Sequence, residues 1–207
     1  MLNLYTYAKS SAAYRVRIAL NLKALPYSMI PVNLLDGAHR SPGYLARNPE
    51  GLVPALESDL GMLSQSLAIL EWLEETHPKP ALLPADGWHK AQVRSVMYAI
   101  ACDIHPINNL RVLKYLTSTL GVKEKDKTTW YQHWITTGFT AIEQKIVAAP
   151  FCFGEKPTLA DVVLIPQVFN ALRFETPLGD FPKIRAVWDH ANTLEPFVVS
   201  RPENQVG

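Results

Sequence analysis

The sequence predicts an α/β half followed by an all-α half, and three observations carry that prediction. Over residues 1–79 the pattern runs strand, helix, strand, then strand, strand, helix. Residues 77–84 contain Pro78, Pro80 and Pro84, which cannot continue a helix and read as a linker. From residue 86 onward no convincing strand pair occurs, and apolar residues recur at helical spacing. The expected domains are therefore 1–79 and 86–207.

Composition narrows the function classes. The 207 residues are 48% hydrophobic and carry a net charge of +1. This is normal for a soluble globular chain and gives no electrostatic case for nucleic acid or an acidic membrane. Cys102 and Cys152 match neither a disulfide framework nor a zinc spacing, and free thiols suit a reducing cytosol. No metal site is expected from the His, Cys and carboxylate spacings. No apolar run approaches the ~20 residues that span a bilayer. The N-terminus lacks a basic stretch followed by a hydrophobic one, so no signal peptide is expected. The expected protein is soluble and cytoplasmic.

In chain order, Leu2 to Tyr7 reads as a strand and Ser11 to Leu25 as a helix. Two apolar stripes, Ala12/Val16/Ala19/Leu20 and Tyr14/Ile18/Leu22/Leu25, suggest a helix buried against a sheet. Tyr27 to Val32 reads as a second strand whose pairing Pro26 and Pro31 limit. Asp36-Gly37, Pro42-Gly43 and Asn48-Pro49 punctuate a long loop with a short helix near 42–47. Val53 to Leu56 and Met62-Leu63 flank a polar turn and form a hairpin. Gln65 to Thr76 is the next helix, with Ser64 or Ser66 as its cap. Leu67, Ile69, Leu70 and Leu73 face inward, and Glu71, Glu74 and Glu75 face out. This is the thioredoxin-like order of elements. The Cys-x-x-Cys of thioredoxins is missing, so any thiol chemistry must use a ligand's sulfur.

The second half reads as a helix from Trp88 to about Leu120, kinked at Pro106, and a charged surface turn at 123–127. Another helix follows to about Ala149, with Trp130, Trp134 and Ile142 as candidate buried residues. Thr158 and Asp161 stand three apart before an apolar run, a capping-box start for a helix to about Phe174. A last helix covers 183–194, and 201–207 reads as a loose tail.

The chemistry concentrates where the first helix begins. Ser10 and Ser11 can cap backbone N–H groups, and a helix N-terminus also favours an anion or thiolate. Capping alone remains a sufficient reading of both. The run Ser10-Ser11-Ala12-Ala13-Tyr14-Arg15-Val16-Arg17-Ile18-Ala19-Leu20 resembles the Ser-Ser-Cys-x-x-Arg-Val-Arg-Ile-Ala-Leu signature of zeta-class glutathione transferases. That class includes the maleylacetoacetate and maleylpyruvate isomerases. Ala12 stands where the signature usually has Cys, Ser or Thr.

The resemblance covers essentially the whole chain. It implies the glutathione transferase fold: a thioredoxin-like domain followed by a helical one. It also implies glutathione as cofactor, a small dicarboxylate as substrate and a homodimer. Ser10 and then Ser11 become the candidates for holding the glutathione thiolate. Gln65 and Ser66 would take the γ-glutamyl end, Val53-Pro54 with a cis proline the cysteinyl part, and His39 the glycyl end. An exposed loop histidine is an equal reading of His39. Asp103, His105 and Asn109 in Cys102 to Arg111 resemble residues bordering the family's active site. His105 and the asparagines can equally satisfy backbone groups freed at the proline kink. Lys9, His105, Asn109, Arg111 and Arg173 are the substrate-binding candidates, Arg173 matching an arginine that grips a carboxylate. Arg15 and Arg17 are expected to form ion pairs on the helix surface.

The implied activity is glutathione-dependent cis–trans isomerisation of maleylacetoacetate or maleylpyruvate to the fumaryl isomer. A transferase acting on haloacids or small electrophiles, and a non-catalytic interaction module, are the alternatives.

Overall fold

In the computed structural model, which describes residues 1–205, strand β1 (Leu2–Thr6) is an inner strand of a four-stranded sheet. β2 (Tyr27–Pro31) pairs with it in parallel and β3 (Ala55–Ser58) antiparallel. β4 (Gly61–Ser64) pairs with β3, giving the order β2-β1-β3-β4. Proline-flanked β2 lies at the edge, where a missing ladder donor is tolerated. α1 (Ser11–Leu22) and α3 (Ser66–Thr76) pack together, and α2 (Pro42–Leu45) is a single short turn.

The contacts divide the chain into two units. One is Met1–Leu82 together with the segment from Asn192; the other is Leu83–Ala191. The last segment joins the first unit because α9 (Glu195–Val198) and Ser200 pack on α1. It is no loose tail over its described part. Ser200 is fully buried, Pro202–Asn204 forms a 3-10 turn, and Gln205 Nε2 donates to the carbonyls of Val199 and Arg201.

Inside the first unit, α1 is buried on nearly every side. It ends three residues before the expected Leu25. Ala24 takes a positive φ of 51°, and Leu25 N–H donates back to Leu20 O at 3.0 Å, a Schellman-type closure. Arg15 and Arg17, expected on the surface in ion pairs, are 1% and 0% exposed. Arg17 uses its guanidinium as a three-way tie. Nε donates to Ser200 O (3.1 Å), Nη1 to Thr6 Oγ1 (2.9 Å) and Nη2 to Ala8 O (2.9 Å). Glu74, read as outward-facing, is half-buried and receives Lys23 Nζ at 2.7 Å. The same ammonium donates to the carbonyls of His77 and Pro80, fastening the end of α1 to the chain leaving α3.

In the second unit the expected long kinked helix is four successive pieces. α4 (Gly87–Tyr98) passes into a π-type turn at Ala99–Ile104, then a 3-10 turn at Pro106–Asn108, then α5 (Leu110–Ser118). α6 (Glu124–Lys145) begins inside the segment read as a charged surface turn. Glu124 and Asp126 occupy its first turn, where acidic side chains complement the helix dipole. Its buried stripe is Tyr131, Ile135, Phe139 and Ile142. Trp130 and Trp134 are only half-buried. α7 (Leu159–Arg173) is buried almost throughout. The capping box at its start holds: Asp161 accepts from Thr158 N–H and Thr158 Oγ1, and also from Cys152 N–H at 2.7 Å. Glu143 of α6 accepts from Lys183 and Ile184 N–H, capping α8 (Pro182–Ala191) from outside.

α6 approaches the π-type turn at Gly138, where a Cβ would stand 2.2 Å from Ile104 Cδ1 and 2.4 Å from Cγ1. Ile104 is 2% exposed and has little room to yield. Gly138→Ala should therefore destabilise the protein by about 1–3 kcal/mol through overpacking. Adding Ile104→Val should give a double variant less damaged than the sum of the two, by at least about 0.5 kcal/mol. Urea unfolding of the four proteins measures both. Arg17→Met should cost at least about 3 kcal/mol, since it strands several buried oxygens. Arg17→Lys should recover part of that, because an ammonium cannot reproduce the planar fork; the same unfolding curves test this.

Candidate functional site

The strand register assembles the first part of the site. Tyr5 of β1 pairs with Ala55 of β3, which pairs with Ser64 of β4; on the other side Thr6 pairs with Pro31 of β2. Four chain segments thus leave one end of the sheet. They are the β1–α1 turn carrying Lys9 and Ser10, the loop carrying His39, Val53–Pro54 entering β3, and Gln65–Ser66 opening α3. The topology brings together every site candidate of the first unit.

Each is held by identifiable contacts. Ser10 is the N-cap of α1, its Oγ accepting from Ala13 N–H at 3.2 Å and its own N–H donating to Tyr7 O at 3.0 Å. Ser11 is buried in the first turn, Ala12 beside it is half-buried, and Lys9 is exposed. Arg17 fixes this turn from behind through Thr6 and Ala8. The Val53–Pro54 bond is cis, as the family resemblance implies, and both residues are buried. His39 lies half-buried in the 3-10 turn Ala38–Arg40. Gly51 packs so closely beneath it that a Cβ would stand 3.0 Å from His39 O.

The start of α3 differs from expectation. Its N-cap is Gln65, at φ 69°, with no side-chain cap; neither Ser64 nor Ser66 fills that role. Ser66 is buried and accepts from Arg15 Nη1 at 3.2 Å. Gln65 Nε2 instead donates to Glu50 Oε2 at 2.7 Å, and Ser64 Oγ donates to Glu50 Oε1 at 2.8 Å. Glu50 was missed because nothing in Asn48-Pro49-Glu50-Gly51 marks it beyond turn chemistry. Arg15 was missed because an arginine on a short helix is ordinarily counted as surface.

In the second unit, Asp103 is exposed on the π-type turn, and His105 follows it. Asn109 Nδ2 lies 3.2 Å from His105 Nε2, and Asn109 Oδ1 caps α5 by accepting from Arg111 N–H. Asn108 is buried and donates to Tyr131 O. The asparagines therefore do satisfy backbone groups around the kink, while the His105 ring is held by a side chain. Arg111 is exposed. Arg173 ends α7, exposed, with its guanidinium carbon 5.3 Å from the Phe174 ring centre. Phe174 stacks on Tyr131 with centroids 3.9 Å apart, and Gln132 Nε2 donates to the carbonyls of Phe174 and Glu175. Burial pushes the Tyr131 phenol well up, with the Arg173 charge opposing it. Tyr131 thus connects the two groups of candidates, through its carbonyl to Asn108 and through its ring to the end of α7.

Among the described residues no cluster of three metal-binding side chains occurs, and no helix is long and apolar enough to cross a membrane. Both cysteines are free. The Cys152 thiol is pushed up by burial and by the Asp161 carboxylate.

The family model of the glutathione S-transferase N-terminal domain matches residues 4–81. A maleylacetoacetate isomerase of Pseudomonas aeruginosa is 47% identical over 207 residues, covering 99% of this chain and 97% of that protein. The holo structure of a maleylpyruvate isomerase, described as a bacterial zeta-class glutathione transferase, is 44% identical. It superposes with a TM-score of 0.95 over 98% of both chains. A maleylacetoacetate isomerase of Anaeromyxobacter dehalogenans with glutathione in its active site is 40% identical. Its TM-score is 0.89, covering 99% of this chain and 96% of that one. The chain belongs to the glutathione transferase family, in the zeta-class group of maleylacetoacetate and maleylpyruvate isomerases.

Proposed function

We propose that the protein is a glutathione-dependent isomerase converting maleylacetoacetate or maleylpyruvate to the fumaryl isomer in aromatic catabolism. The observation that carries this reading is the sheet end joining Ser10 at the start of α1, cis Val53–Pro54, and Gln65–Ser66 at the start of α3. The donor set suits glutathione. Ser10 Oγ accepts one hydrogen bond from Ala13 N–H, which leaves its O–H proton to donate to a sulfur anion. First-turn amides have no acceptor within their helix and add to the same field. When bound, glutathione would supply a thiolate nucleophile for reversible addition to the conjugated double bond, the chemistry that cis–trans isomerisation needs.

The chain's own part is binding and charge stabilisation. Ser10, backed by Ser11, holds the thiolate. Gln65 and Ser66 take the γ-glutamyl carboxylate, Val53 and Pro54 the cysteinyl backbone, and His39 the glycyl end. Asp103, His105 and Asn109 complete the glutathione set. Lys9, Arg111 and Arg173, with His105 and Asn109, serve the substrate's carboxylates and the negative charge that builds on its enolate. Ala12 offers no thiol at the start of α1, so the attacking sulfur is the ligand's. Two free cysteines suit a cytoplasmic setting, and the zeta-class pattern suits a homodimer.

Absorbance-monitored turnover of both maleyl substrates, with and without glutathione, tests the reading. One substrate should turn over only with glutathione, and Ser10→Ala should lower kcat by about 100-fold or more. Arg173→Leu should raise KM by about tenfold or more with glutathione affinity unchanged. Glutathione binding without turnover of either substrate would favour the haloacid-type transferase. Loss of both would favour an interaction module.

A further inference from the structure

Glu50 has no role in the reading above, yet its placement is well determined. It sits in a turn fastened by Asn48, which is 2% exposed; Asn48 Nδ2 donates to Leu52 O and its Oδ1 accepts from Glu50 N–H. Gly51 closes the turn at φ 57°, with a Cβ there meeting Arg40, His39 and Leu45 atoms each at 3.0 Å, so only glycine fits without displacement. The turn therefore presents the Glu50 side chain from a fixed backbone, three residues before Val53 of the cis Val53–Pro54 bond.

The carboxylate takes two hydrogen bonds, from Ser64 Oγ and Gln65 Nε2, and both donors are neutral. Among the described residues it has no ion-pair partner. It accepts nothing from the backbone of α3, so it does not cap that helix. A carboxylate has about four acceptor positions, and roughly half of these remain. An anionic group is thus held one residue from Ser66 and the anion-favouring start of α3. Positive potential for a carboxylate and negative potential for an ammonium stand side by side. That pairing matches the zwitterionic end of a γ-glutamyl group, whose carboxylate and ammonium share one carbon.

We propose that Glu50 recognises the α-ammonium of glutathione and makes the site selective for a zwitterionic γ-glutamyl end. The proposal rests on the reading that this end seats at Gln65–Ser66. Glu50 is exposed, so the expected selectivity is moderate, about threefold to tenfold.

The test is calorimetric titration with glutathione and with glutaryl-cysteinyl-glycine, which lacks only the amino group, against the full chain and its Glu50→Gln variant. Wild type should bind glutathione about threefold to tenfold more tightly than the analogue. Glu50→Gln should bring that ratio close to one, mainly by weakening glutathione. A ratio unchanged by the substitution would overturn the proposal. So would equal weakening of both ligands, which would make Glu50 only a support for Gln65. If Gln65→Ala leaves the affinity of wild type for glutathione unchanged, the seating at Gln65–Ser66 is wrong. That failure is separate from a Glu50 result in which seating holds but discrimination does not. Thermal melts of both variants confirm folding.

Discussion

The buried guanidinium of Arg17 is the constraint on which the first unit depends. A charge removed from water without a carboxylate partner costs several kcal/mol unless donors and acceptors match closely. Here they do: Ser200 O, Thr6 Oγ1 and Ala8 O lie in three directions around one planar fork, and the Tyr14 ring lies 5.3 Å away. Burial still pulls the group down, to about 10, which keeps it charged at neutral pH. Because the fork is rigid, each oxygen it holds becomes a fixed point. Thr6 and Ala8 flank the turn that delivers Ser10, and Ser200 anchors the far end of the chain. The N-cap residue of a helix is thereby positioned by a side chain from that helix's second turn.

Arg15 applies the same logic one step away. Its Nη1 reaches Ser66, so the start of α3 is tied to α1 by a cationic donor. A charged donor beside two helix N-termini raises the positive potential at that end of the sheet, which suits an anionic ligand and disfavours an unpaired acid. Glu50 is held near this field by neutral donors alone. Its carboxylate lowers the local potential at one point without neutralising the rest, and a ligand carrying both signs of charge gains most from that arrangement.

Much of this was legible in the sequence, for local reasons. The strand and helix order and the Thr158–Asp161 box depend on residues close together in the chain, and they appear where expected; the cis Val53–Pro54 bond, implied by the family resemblance, is also present. The errors come from distant partners. Arg17 and Ser200 are 183 positions apart, and no helical wheel shows that the surface around Arg17 will be covered. Glu74 looked solvent-facing until Lys23, 51 positions away, closed on it. Glu124 and Asp126 were read as a solvated charge run, although acidic residues are also what a helix start favours. Around Pro106 the sequence announced a disruption but not its form. A π-type turn, a 3-10 turn and a new cap at Asn109 replace a simple kink, and the close approach of Gly138 to Ile104 selects that packing.

The sulfur chemistry follows from what the chain withholds. Cys152 is buried beside Asp161, an environment that opposes thiolate formation. Cys102 is exposed on the π-type turn. At the start of α1, where a thiolate would be stabilised, the chain offers Ser10, Ser11 and Ala12. Hydroxyls there donate hydrogen bonds to a sulfur anion but do not compete with it as nucleophiles at neutral pH. A cysteine thiolate there would be free to attack the disulfide of an oxidised glutathione, forming a mixed disulfide and releasing one thiol, and Ala12 removes that exchange. On the proposed reading, the helix start serves a sulfur that arrives and departs with its ligand, and a reversible addition and elimination needs a nucleophile of that kind.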